Sequence, residues 1–155
     1  MNQRSVTVCA AAVLVLVSFS AGALFAKGEG LKRLNLAGRS DSRPFTHTVV
    51  AGETIYIAGS IGVDSETGRV PEDPMDEARL MMDSFKAKVE LAGATMSDLV
   101  SVQVFCSDVT LYNDFNELYG SYFTEKGAYP VRAFIGSGAL LFDARFEING
   151  IAVKR

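Results

Sequence analysis

Arg132 and Glu147 are the residues best equipped for chemistry in this 155-residue chain. They lie near the C-terminus in two segments that read as strands, PVRAFIGSG (130–138) and ARFEINGIAV (144–153). An arginine presents a planar fork of donors that holds a carboxylate through two parallel hydrogen bonds. A glutamate in a largely apolar strand is costly to bury unless it is paired or has a proton to handle. Together they point to a site that grips a small carboxylic acid and moves a proton or a water. Period-2 alternation puts Arg145, Glu147 and Asn149 on one face of the last strand and Phe146, Ile148 and Gly150 on the other. Arg132 follows Pro130 and opens its own strand, where a side chain projects from the end of a sheet.

Other reactive groups offer less. His47 is the one histidine and has no Ser or Cys partner at a recognisable spacing, so it reads as structural or surface. Cys106 ends a strand beside Ser107 and Asp108 with no cation to ionise it, so it reads as inert. One histidine and one cysteine in this region do not make a zinc site. Gly136-Ser137-Gly138 lacks the strand–loop–helix context of a phosphate cradle and reads as a turn.

The elements that position the pair are legible from periodicity. THTVV (46–50) and TIYIAGSIGV (54–63) flank a tight turn and predict a hairpin. Asp73-Pro74 is a cap followed by proline at the first helical position. Ala78, Met81, Met82, Phe85, Val89 and Ala92 recur at helical spacing up to a stop at Gly93. LVSVQVFCSDV (99–109) alternates as a strand, and a second helix is predicted from about Leu111 to Glu125. The order β-β-α-β-α-β-β is that of an α/β (α+β) single domain, a mixed sheet with two helices on one face. The other sheet face then lacks a cover, which predicts a homo-oligomer.

Residues 5–26 carry no charge, and the layout of residues 1–26 predicts a signal peptide, cut after Ala23 or Ala26, or a retained N-terminal anchor. That predicts export to a periplasmic or extracellular location, with no membrane contact in the mature form. Residues 27–43 read as a linker or loosely packed lead-in segment, and 44–155 as the domain. Arg4 is the one charge in residues 1–26, so the remainder has 14 basic and 18 acidic side chains, net −4. There is no basic stripe, which argues against nucleic acid as the partner.

Three stretches carry a family resemblance: PFTHTVVAGETIYIAGSIGVDSETGRV, DEARLMMDSFKAKVELAGATMSDLVSVQVFCSDV, and the run from YNDFNELYGSYF through PVRA to FEINGIAV. They resemble the RidA/YjgF reactive-intermediate deaminases over residues 43–155. The resemblance implies a chorismate-mutase-like homotrimer with sites in clefts between subunits. It implies hydrolysis of 2-imino or enamino acids, of the 2-iminopropanoate and 2-iminobutanoate type, to 2-keto acids and ammonia, with no metal or cofactor. Arg132 matches the family's carboxylate clamp and Glu147 its water-activating acid. Phe45, Ala58, Gly59, Asn116 and Phe134 match substrate-binding positions. Phe45 and Ala58 depart from the tyrosine and serine of many active members, removing two hydroxyls. Such losses would retune substrate choice toward apolar side chains or weaken activity. Two other readings stay open: a non-catalytic trimer that binds small carboxylates, and an oxidant-responsive protective protein. A ribonuclease reading is poorly served by the acidic domain and single histidine.

Overall fold

Glycine in a left-handed turn starts the sheet. Strands β2 (Thr48–Ala51) and β3 (Thr54–Ile61) pair antiparallel around Gly52, whose φ of 60° suits a two-residue hairpin. The computed structural model describes residues 30–38, 43–125 and 127–154. Within the segment read as linker, β1 (Lys32–Leu34) adds an edge strand against β2. The remaining elements are helix α1 (Pro74–Leu91), β4 (Leu99–Cys106), helix α2 (Tyr112–Ser121), β5 (Val131–Gly136) and β6 (Phe146–Val153).

The strand order is β1-β2-β3-β6-β4-β5. Only β4 and β5 pair parallel; β6 runs antiparallel between β3 and β4. This is the mixed α+β architecture that the element pattern predicts. Asp73 caps α1 by accepting from Met75 N at 2.7 Å and Asp76 N at 3.0 Å, as its place before Pro74 suggests.

Both helices lie on one sheet face. The apolar stripe of α1, with Met81, Met82, Phe85 and Val89 fully buried, meets Ile55, Ile57, Val102, Val104 and Ile148 in a single core. Phe115 of α2 stacks on Phe146 of β6 with ring centroids 5.2 Å apart, which puts α2 over the same face. Burying three such aromatic and aliphatic side chains contributes roughly 5–9 kcal/mol. Along β6 the buried residues are Phe146, Ile148, Gly150 and Ala152, while Glu147, Asn149, Ile151 and Val153 point to the opposite, less buried face. On that face Tyr56 is half exposed, and no described helix covers it.

Arg145 does not join Glu147, as alternation alone suggested. It precedes β6, and its guanidinium donates to Glu77 Oε2 at 2.5 Å, Pro71 O at 3.0 Å and Glu72 O at 2.7 Å. Glu77, wholly buried in α1, also accepts from the backbone N–H groups of Arg145 and Phe146. This lock ties the start of β6 to α1. Charge pairing removed Arg145 from the open face, because a buried carboxylate needs a cation more than an exposed strand end does.

The expected signal peptide or anchor over 1–26 is corrected here. Those residues lie outside the described ones, and no described helix is long and apolar enough to cross a membrane.

Candidate functional site

Sheet register decides where the two key side chains go. Arg132 pairs with Val102, whose side chain faces the helices; Glu147 pairs with Phe105, three residues further along β4. An odd offset along a pleated strand means opposite faces. Arg132 therefore lies on the helix face of edge strand β5, and Glu147 on the open face of β6. Two strand spacings and three residue steps part them, about 10 Å across the sheet and about 10 Å along it. One chain does not bring them to one substrate.

The seven expected site residues divide accordingly into two groups. The first is Arg132, Asn116 and Phe134. Helix α2 turns Tyr112, Phe115, Asn116 and Tyr119 to one side, at spacings of three and four residues, toward β5. Arg132 Nη2 donates to Asn116 Oδ1 at 2.6 Å. Its guanidinium carbon lies 4.7 Å from the Tyr119 ring centroid and 5.8 Å from that of Phe134. The rings hold the cation by their negative faces. Asn116 takes one donor direction, and the rest of the fork has no acceptor among the described residues. The buried Tyr119 hydroxyl also lacks a partner among them. Burial pushes its pKa up to about 12, against the opposing pull of Arg132. The first group is thus a set of unused donors around a fixed cation, suited to a carboxylate.

The second group is Phe45, Ala58, Gly59 and Glu147, which line a cavity of about 690 Å³ together with His47, Ser60, Lys88, Leu141 and Phe142. A register shift between Ile57 and Ser60 lets β3 bulge beside β6. Glu147 lies across that bulge, so close that a Cβ on Gly59 would collide with Glu147 Oε1. The carboxylate accepts no hydrogen bond among the described residues. Phe142 in its lining and the adjoining Asp143 hold left-handed backbone, φ 59° and 56°, conformations uncommon outside glycine. Among the described residues no group of His, Cys, Asp and Glu could hold a metal ion.

The chain that carries these groups has relatives among known proteins. The family model described as Endoribonuclease L-PSP matches residues 39–154. The 2-iminobutanoate/2-iminopropanoate deaminase of Escherichia coli (strain K12) is 37% identical over 113 residues, 72% of this chain and 88% of that protein. The chain belongs to the RidA/YjgF family. Among solved structures, the Escherichia coli YjgF gene product superposes with a TM-score of 0.72 at 34% identity, covering 80% of this chain and 99% of that one. Escherichia coli TdcF, solved with serine bound, gives 0.73 at 32% identity, with 80% and 99% coverage.

Within this RidA-family cavity, Phe45 and Ala58 bring no hydroxyl. Its polar lining includes, besides Glu147 and His47, groups that periodicity did not single out: Arg43, Ser60, Ser84 and Lys88. His47 lines the cavity too, and its Nδ1 accepts from Leu36 N at 3.1 Å, in keeping with a structural reading. Cys106 is fully buried in the core, and burial pushes its thiol pKa up.

Proposed function

We propose that this protein is a 2-imino acid or enamino acid deaminase, and that its working site is assembled between chains of a homotrimer. The split between an Arg132 half-site on an unpaired strand edge and a Glu147 half-site on an uncovered face carries the reading. Edge strand β5 ends the sheet, with Val131 72% exposed beside Arg132. Docking that edge over the open face of a second copy would bring one chain's guanidinium to another chain's carboxylate. The relative named 2-iminobutanoate/2-iminopropanoate deaminase supports the substrate class. The acting unit is the RidA-like domain, residues 44–155.

In this reading the Arg132 fork holds the substrate carboxylate, with Asn116 and the aromatic rings fixing its orientation. The substrate reacts as its iminium cation. Glu147 takes a proton from water as the oxygen adds to the carbon and the C=N electron pair returns to nitrogen. The carbinolamine nitrogen then takes a proton and leaves as ammonia while the O–H proton is lost and C=O closes. The C=N bond is reactive already, so a positioned base and clamp are sufficient. Turnover of freshly generated 2-iminopropanoate and 2-iminobutanoate, lost in Arg132→Ala, tests this. The missing hydroxyls of Phe45 and Ala58 favour one competing reading, a carboxylate-binding trimer. That reading predicts thermal stabilisation by 2-keto acids with no turnover.

A further inference from the structure

Lys88 stands three residues after Phe85 and seven after Met81, on the buried stripe of α1, and is only 5% exposed. Its ammonium donates to Gly59 O at 2.6 Å and Ser60 Oγ at 2.8 Å, both uncharged. No carboxylate comes within ion-pair distance of it among the described residues. An ammonium buried on two neutral acceptors costs folding free energy, so packing is a poor account of it.

The Gly59 carbonyl supplies a better one. Between the pairs Ile57 with Gly150 and Ser60 with Ile148, β3 has Ala58 and Gly59 where β6 has Asn149 alone. An extra residue disrupts the ladder locally, so the conformation of the bulge depends on bonds from outside that strand pair. Two such bonds are present. Ala58 N donates to His47 O at 2.9 Å, and Lys88 holds Gly59 O from the helix side. The second is charge-assisted, the stronger kind.

Glu147 stands on the other side of the same glycine. Register puts its side chain on the open face, while Ser60 and the incoming Lys88 lie on the helix face. The two charges meet through the main chain of Gly59. A Cβ there would overlap Glu147 Oε1, so the carboxylate rests directly on that residue. Any shift of the Gly59 backbone moves the floor under the carboxylate. The Glu147 charge in turn acts on the Lys88 ammonium across the bulge.

We propose that Lys88 is a positioning residue for Glu147: its ammonium pins the β3 bulge through the Gly59 carbonyl, and the pinned bulge sets where the carboxylate stands. The proposal rests on the deaminase reading. It gives the carboxylate a fixed seat while leaving its oxygens to water and substrate. Lys88 itself touches no reacting atom.

Steady-state hydrolysis of 2-iminobutanoate from pH 6 to 10 tests this with the full chain, Lys88→Met, Lys88→Gln, and Lys88→Met combined with Gly59→Ala. Lys88→Met should lose about tenfold or more in kcat with KM little changed, because the Arg132 clamp is untouched. Lys88→Gln keeps an N–H donor for Gly59 O and should recover part of that loss. The titratable or charged groups that share the cavity lining with Lys88 are Glu147 from β6 and Arg43 and His47 before β2; β2, β3 and α2 contribute none. Burial lowers the Lys88 pKa to about 8, against the pull of Glu147, so the charge-assisted bond is lost above that pH. The ratio of wild-type to Lys88→Met kcat should therefore shrink above about pH 8, a comparison in which the substrate's own titration cancels. Gly59→Ala and Lys88→Met displace the same carboxylate, so the double variant should lose no more than the worse single one. Should Lys88→Met fail to fold, Lys88→Gln carries the pH comparison. Wild-type turnover that Arg132→Ala abolishes but folded Lys88→Met retains in full overturns this proposal alone, as does a loss that is the same at every pH. No turnover by the folded wild type overturns the deaminase reading and this proposal with it.

Discussion

Arg132 Nη2 and Asn116 Oδ1 lie 2.6 Å apart, so a side chain from α2 fixes the guanidinium that β5 presents. The bond spends one donor of the fork on orientation and leaves a carboxylate to meet the others. Arg132→Ala should therefore reduce kcat/KM for 2-iminobutanoate by at least about a hundredfold. Asn116→Ala should cost about tenfold, because the cation remains but its angle is free. Steady-state kinetics on both variants checks the order, and equal losses would place Asn116 on the substrate itself.

Gly59 lies under the Glu147 carboxylate, and the atom a methyl group would strike is the far end of that side chain. Gly59→Ala should leave the fold intact and move the carboxylate. The expected outcome is a loss of about tenfold or more in kcat with a melting temperature within a few degrees of wild type. Paired melting and kinetic measurements decide the matter. A full-rate Gly59→Ala would mean that Glu147 can work from a second position.

Lys88 links the site to stability. Burial lowers its folded pKa to about 8 from 10.5, while the Glu147 charge pulls the other way. Between those values the unfolded chain binds more protons, so unfolding free energy rises with pH across that window. Relative to Lys88→Met, the wild type should gain up to about 3 kcal/mol from pH 8 to 10.5. Urea unfolding of both proteins across that range measures it, and a flat difference would mean that the ammonium is well solvated.

Much of the fold was legible because single elements carry their own signals. Asp73-Pro74 announced α1, and the β-branched runs around Gly52 announced a hairpin. Strand β1 was missed because three residues, Lys32-Arg33-Leu34, are too short and polar to show a period. The grouping of the site was not legible. Alternation fixes the faces of Arg132 and Glu147 within their own strands, but only the pairing of Val102 with Arg132 and Phe105 with Glu147 sets those faces against each other. Lys88 was within reach: its spacing from Met81 and Phe85 marked it as buried, and a buried lysine is a signal. Arg145 was misplaced because its partner, Glu77, lies 68 residues away.

The central claim is that Arg132 and Glu147 act together only across two chains. Arg132→Ala and Glu147→Ala should each be inactive toward 2-iminobutanoate as pure proteins. Unfolded together in equal amounts and refolded, they should form mixed trimers in which about a quarter of the sites unite an intact arginine with an intact glutamate. The account predicts recovery of about that fraction of wild-type kcat. Mixed trimers that form and stay inactive would contradict it.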